Sequence, residues 1–226
     1  MAILPLPIIP AMDRARWDVF CRVIDNFGDV GVSWRLCCAL AARGQALRLF
    51  IDDASALAWM APQGAPGVAV LPWDAALQAG DPGDVVVETF GCALPDAFVA
   101  CMAARPPVWI NLEYLSAEDW VGGCHGLPSP HPSLPLRKHF FFPGFRDNTG
   151  GVLGEADVSA RREAQLADPA AGWAALGLTP PLAGELTVSL FCYGGERVDA
   201  WLDALLAHGE PVRVLVPDEI GRASCR

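Results

Sequence analysis

The feature that most narrows the fold of this chain is an alternation of uninterrupted apolar runs with segments whose apolar residues recur at helical spacing. WDVFCRV, ALRLFI, GVAVL, DVVVETF and PVWINLEYL are runs of strand length, and VSWRLCCALAARG, DASALAWMA, WDAALQAG and LPDAFVACMAARP lie between them. A strand with one wet face alternates apolar and polar residues, whereas a continuous run is buried on both faces, as in a parallel sheet covered by helices. The pattern predicts right-handed βαβ units in an α/β sandwich, with ligand contacts gathered beyond the carboxyl ends of the strands. IDNFGDVG (24–31), ETFGCALP (88–95) and NLEYLSAEDW (111–120) should then converge on one rim.

Beyond this first domain, residues 122–154 are rich in proline and glycine, which predicts an ordered, loop-rich segment around a short strand at HFFF. SARREAQLADPAAGWAALG reads as a bridging helical stretch. ELTVSLFCYG, VDAWLDALLAHG and PVRVLVP then form one βαβ unit that opens a second α/β domain. The expected organisation is an N-terminal extension (1–16), a Rossmann-like domain (17–155), a linker helix region (156–182), and the start of a truncated second Rossmann-like domain (183–218). The final EIGRASCR (219–226) is what common sequencing-adapter DNA encodes, so it is expected to be translated adapter behind an interrupted gene.

The opening apolar patch lacks a basic flank and is broken by prolines, so it reads as neither signal peptide nor membrane span, and Met12 is a plausible start. No run approaches the roughly 18 apolar residues a spanning helix needs. A soluble, cytoplasmic protein is expected. The formal net charge of -10 and the lack of a basic stripe exclude a nucleic-acid surface, which needs clustered lysine and arginine. The 8 cysteines include no CxxC pair and fall in strand-like or helical runs, so they read as reduced, buried thiols. Cys124, His125 and His131 match no standard zinc spacing, and no metal is expected.

A glycine-bearing turn from a strand into a helix ordinarily cradles a phosphate, because its N–H groups and the helix dipole favour an anion. This turn carries two carboxylates instead, Asp25 and Asp29. One reading is structural: Asp29 caps a helix starting near Val30, and Asp25 makes an Asx turn. The other is that the pair holds a cation, since two carboxylates on one short turn repel each other unless something positive sits between them. A guanidinium suits such a pair best, with five donors in a planar fork. A carboxylate there would orient it and take a proton late, as a new bond to nitrogen acidifies the N–H. In NLEYLSAEDW, Asn111 and Glu113 fall on the rim, Glu113 being open to a functional or a structural role, and Ser116 with Asp119 reads as a capping box. FFFPGF (140–145) reads as core. Phe191 and Tyr193, before a Gly-Gly turn, either stack on a nucleotide base or pack inside.

WDVFCRVIDNFGDVGVSWRLCCALA, WINLEYLSAEDWVGGCHGLPSP, HFFFPGF and SLFCY together resemble the EarP family, bacterial arginine rhamnosyltransferases that mature elongation factor P. The resemblance runs from about Trp17 to Pro217. It implies a GT-B glycosyltransferase fold and an inverting transfer of L-rhamnose from dTDP-β-L-rhamnose to an arginine of the factor, with no cofactor. Carried onto this chain, it implies that Asp25 and Asp29 are catalytic, Asp29 as general base. Asn26, Phe27, Gly28, Asn111 and Glu113 become acceptor-binding, and Phe191 and Tyr193 donor-binding. Residues 17–155 become the acceptor-binding domain. The family's C-terminal domain supplies most of the donor pocket, so this chain alone is expected to recognise the acceptor without transferring the sugar. Two alternatives stay open: a GT-B glycosyltransferase with another acceptor, and a non-catalytic protein-binding fragment.

Overall fold

The computed structural model describes residues 14–216 apart from 26, 79, 191–196 and 208. Asn26, Phe191 and Tyr193, and the terminal segments expected to be extension and artefact, therefore lie outside the described residues, the first in all but its last three positions. The chain separates into two compact units, Met1–Gly154 and Glu155–Arg226.

In the first unit the apolar runs become β1 (Arg16–Cys21), β2 (Ala46–Ile51), β3 (Val68–Pro72), β4 (Val85–Thr89), β5 (Val108–Leu112), β6 (Pro128–Pro130) and β7 (Arg137–Phe141). They form one sheet in the order β3-β2-β1-β4-β5-β7-β6, parallel throughout except for the edge pair β6–β7. The order reverses between β1 and β4, as chain growth passes from one side of β1 to the other. Such a switch point opens a crevice at the carboxyl ends of those two strands, because the following connections diverge to opposite faces.

Both faces of the inner strands are covered, which is why they read as continuous apolar runs; the edge strand β3 carries such a run although it is largely exposed. Val19, Cys21, Leu49, Ile51, Val85 and Val87 pack with Val30 and Cys37 of α1 (Gly28–Ala41) on one face. Phe20, Phe50, Val86 and Trp109 pack with Phe98 and Met102 of α3 (Asp96–Ala104) on the other. Between these helices, DASALAWMA yields only one α-turn, α2 (Leu57–Met60), and WDAALQAG a 3₁₀ turn (Trp73–Leu77), because each segment needs only to close a short crossover. The polar interruption in β1, Asp18, is fully buried. Its carboxylate takes Arg48 Nε and Nη2, both at 2.7 Å, from the paired position on β2, and the Gly83 N–H at 2.7 Å.

The loop-rich segment holds β6, β7 and the short α4 (Val121–Cys124). Ser116 does not start a capping box. Its hydroxyl accepts the Glu118 N–H at 3.1 Å in a local turn, Asp119 pairs with Arg146, and α4 begins later without a side-chain cap. In FFFPGF, Phe142 is buried and meets Trp120 edge-on, whereas Phe145 is exposed. His125 Nδ1 accepts the Phe142 N–H, and His131 Nδ1 accepts those of Ser133 and Leu134.

In the second unit, the predicted bridging helix is two: α5 (Val158–Ala167) and α6 (Pro169–Ala175). Pro169 cannot continue the first, and Asp168 caps the second by accepting the Ala171 N–H at 3.1 Å. β8 (Leu186–Ser189) and β9 (Val212–Leu215), joined through α7 (Arg197–Ala207), pair in parallel as one βαβ unit. Arg213 holds Glu185 at 3.0 and 2.9 Å and lies over the Trp173 ring.

Candidate functional site

The segments after β1, β4 and β5 meet at the switch-point edge, because three adjacent parallel strands deliver their carboxyl ends to one side. After β1 the chain turns through Ile24 and Asp25, whose carbonyl accepts the Gly28 N–H at 2.9 Å, and α1 starts at once. The helix begins at Gly28, so Asp29 lies inside the first turn and is not its N-cap; Phe27 holds that position without a side-chain cap bond. Asp29 instead reaches backward. Its Oδ2 accepts the N–H groups of Ile24 and Asp25, each at 2.9 Å, tying the turn to the helix it opens. The positive end of the helix dipole lies at this turn.

Tyr114, two residues past the end of β5, donates its hydroxyl to Asp29 Oδ1 at 3.0 Å. Its ring lies flat on Phe90, with centroids 4.1 Å apart and planes 8° from parallel. Phe90 follows β4 in the left-handed region at φ 55°, which a bulky residue adopts only when its surroundings hold it there. They do: the Phe90 N–H bonds Leu112 O at 2.7 Å, and the buried Glu88 accepts the Ala93 N–H at 3.1 Å while pairing with Lys138. Desolvation of the hydroxyl end, with the Asp29 carboxylate beside it, pushes the Tyr114 phenol up to about 12. It remains a neutral donor at physiological pH.

Asp25 is half-buried, and Gly28 leaves it room: a Cβ on Gly28 would lie 2.7 Å from Asp25 Oδ2. Phe27 meets the exposed Trp59 edge-on, at 5.2 Å between centroids. Asn111 is fully buried and donates its amide to Glu113 Oε1 at 2.5 Å, so it sets the Glu113 carboxylate. Glu113 and Tyr114 line a cavity of about 620 Å³ whose other walls include Arg35, Leu36, Phe90 and Phe141. Cys21, at the end of β1, is held neutral, its thiol pushed up to about 11 by burial. Sequence reasoning had no assignment for Tyr114 or Phe90. A tyrosine just past a strand toward the rim was visible, but its partner 85 positions away was not.

The sequence matches the family described as Elongation-Factor P (EF-P) rhamnosyltransferase EarP over residues 17–226. The chain belongs to this family. A protein-arginine rhamnosyltransferase of Pseudomonas putida is 50% identical over 90% of this chain and 57% of its own length. The Pseudomonas aeruginosa enzyme of that name is 43% identical over 90% and 57%, and that of Shewanella oneidensis 38% over 83% and 52%. The chain thus spans little more than half the length of these relatives. A solved structure described as the structural basis for EarP-mediated arginine glycosylation of translation elongation factor EF-P aligns with TM-score 0.51 at 29% identity. It covers 91% of this chain and 50% of that one. The fold class is α/β, of the GT-B glycosyltransferase type. No helix among the described residues is long and apolar enough to cross a membrane.

Proposed function

We propose that this chain carries the acceptor side of a protein-arginine rhamnosyltransferase that moves L-rhamnose, with inversion, from dTDP-β-L-rhamnose to an arginine of elongation factor P. In that reaction a guanidinium nitrogen bonds to the sugar C1 as the bond from C1 to the dTDP oxygen breaks. The nitrogen must lose a proton as the new bond forms, and Asp29 takes it. Asp25 and Glu113 orient the cation, Asn111 holds Glu113, and Asn26, Phe27 and Gly28 complete the acceptor turn. Phe191 and Tyr193 belong to the donor nucleotide. Neither a cofactor nor a metal takes part, no nucleic acid or membrane is engaged, and the reaction belongs in the cytoplasm.

The observation that carries this reading is Asp29: a buried carboxylate, anchored by two backbone N–H groups at a switch-point crevice, in a chain of the EarP family. Such anchoring keeps an acceptor oxygen in one place, as late proton transfer requires. The test is incubation of the full-length protein with dTDP-rhamnose and elongation factor P, followed by mass spectrometry. A gain of one deoxyhexose on one arginine is expected. No gain, or equal gain on unrelated proteins, overturns the acceptor assignment.

A further inference from the structure

We propose that the Tyr114 hydroxyl and the acceptor N–H compete for the same oxygen, Asp29 Oδ1, so that Tyr114 is a displaceable cover that only a strong donor removes. The inference rests on the reading of Asp29 as the acceptor's partner. A carboxylate oxygen offers about two lone-pair sites. Those of Oδ2 are spent on Ile24 and Asp25, whose N–H groups cannot withdraw without unravelling the turn. Oδ1 is the oxygen left, and among the described residues its donor is Tyr114. Asp29 is 1% exposed, so a guanidinium that reaches Oδ1 must displace a group packed on it, and among the described residues Tyr114 is the group hydrogen-bonded there.

Tyr114 is built to leave. It is 53% exposed and borders the 620 Å³ cavity, so its departure uncovers no part of the core, and the stack on Phe90 is the contact it gives up. The exchange replaces a neutral O–H donor with a cationic N–H donor, and hydrogen bonds from ionised donors are roughly twice as strong. A neutral amide or hydroxyl gains nothing from the same exchange. Tyr114 is therefore a specificity-determining residue that acts by holding Asp29 closed to weak donors.

The test uses the purified chain carrying Tyr193→Phe, which leaves Tyr114 as its one tyrosine of the 2 in the sequence. Nα-acetyl-arginine amide is titrated while the NMR resonance of isotope-labelled tyrosine Cζ is followed. The resonance should move and saturate with the same midpoint as binding measured by calorimetry. Tyr114→Phe keeps the ring and its stack but removes the competing bond, so affinity for the arginine amide should rise roughly five- to tenfold. A hydroxyl that merely supports the fold would leave affinity unchanged or lower it. Either of those results, an unmoved resonance on binding, or no binding by both proteins overturns the proposal. Elongation factor P is titrated in parallel: if it fails to bind while the arginine amide behaves as expected, the acceptor assignment falls and the Tyr114 proposal stands.

Discussion

Replacing Asp29 by asparagine and by alanine separates its two duties, anchoring the turn and accepting a proton. Among the described residues the carboxylate takes three hydrogen bonds, from Ile24 N–H, Asp25 N–H and the Tyr114 hydroxyl. Hydrogen bonds to charged groups contribute about 1.5–3 kcal/mol each, but Ile24 and Tyr114 are exposed and Asp25 half-buried, so water reclaims much of what alanine abandons. Asp29→Ala should therefore cost about 2–4 kcal/mol in total, well below the sum of three full bonds. Asparagine keeps the shape: its carbonyl oxygen accepts the two backbone N–H groups, and its amide donates to the Tyr114 oxygen. The cost of Asp29→Asn should stay within about 1 kcal/mol, set by weaker neutral acceptors and the lost dipole interaction. Its effect on chemistry should be large, because asparagine accepts no proton; transfer by the full-length protein should fall about 10²–10⁴-fold. Urea unfolding of both variants gives the stabilities, and mass-spectrometric rates give the transfer. If asparagine destabilises as much as alanine, the hydrogen-bond accounting is wrong. If it transfers at a near-normal rate, Asp29 is an anchor only.

Gly28→Ala places a methyl 2.7 Å from Asp25 Oδ2 at the first residue of α1, so the Asp25 carboxylate must shift; acceptor binding should weaken, while stability should change by no more than about 1 kcal/mol in either direction. Unchanged affinity by calorimetry would remove Asp25 from the acceptor contact. Arg48→Met strips the charge partner from the fully buried Asp18, and urea unfolding should show a loss of about 3–5 kcal/mol, with part of it recovered in Asp18→Leu/Arg48→Met. A double variant as unstable as the single one would contradict the stranded-charge explanation. Burial holds His125 below its ordinary 6.5, so the unfolded chain binds the proton first as pH falls. The stability from its neutral form is complete above 6.5 and is lost as pH drops through the lower folded value. His139 is shifted the same way by burial, so His125→Asn should flatten this acid slope in part, and an unaltered slope in thermal melts at stepped pH would refute it.

The parallel sheet was legible in the sequence because burial on both faces of its inner strands writes itself locally, as continuous apolar runs separated by helical spacing; the edge strand β3 carries such a run while largely exposed. The turn of Asp25 and Asp29 was legible for a similar reason: two carboxylates where a strand meets a helix are an anomaly visible within eight residues. Local signals failed where a distant partner decides. DASALAWMA and WDAALQAG carry helical spacing yet close into short turns, because the crossover they span is set by where β3 and β4 sit. Ser116 and Asp119 spell a capping box, but Asp119 is taken by Arg146 and Ser116 by a neighbouring N–H. Asp18 inside an apolar run becomes intelligible only when β2 brings Arg48 opposite it. What only the tertiary structure decided is the state of Asp29. Its partner Tyr114 lies 85 positions away and is held by Phe90, a residue after a third strand in a backbone conformation that no sequence pattern announces. Parallel strands bring those three ends together because each crossover returns the chain to the same edge, and that return is a property of the sheet rather than of any one segment.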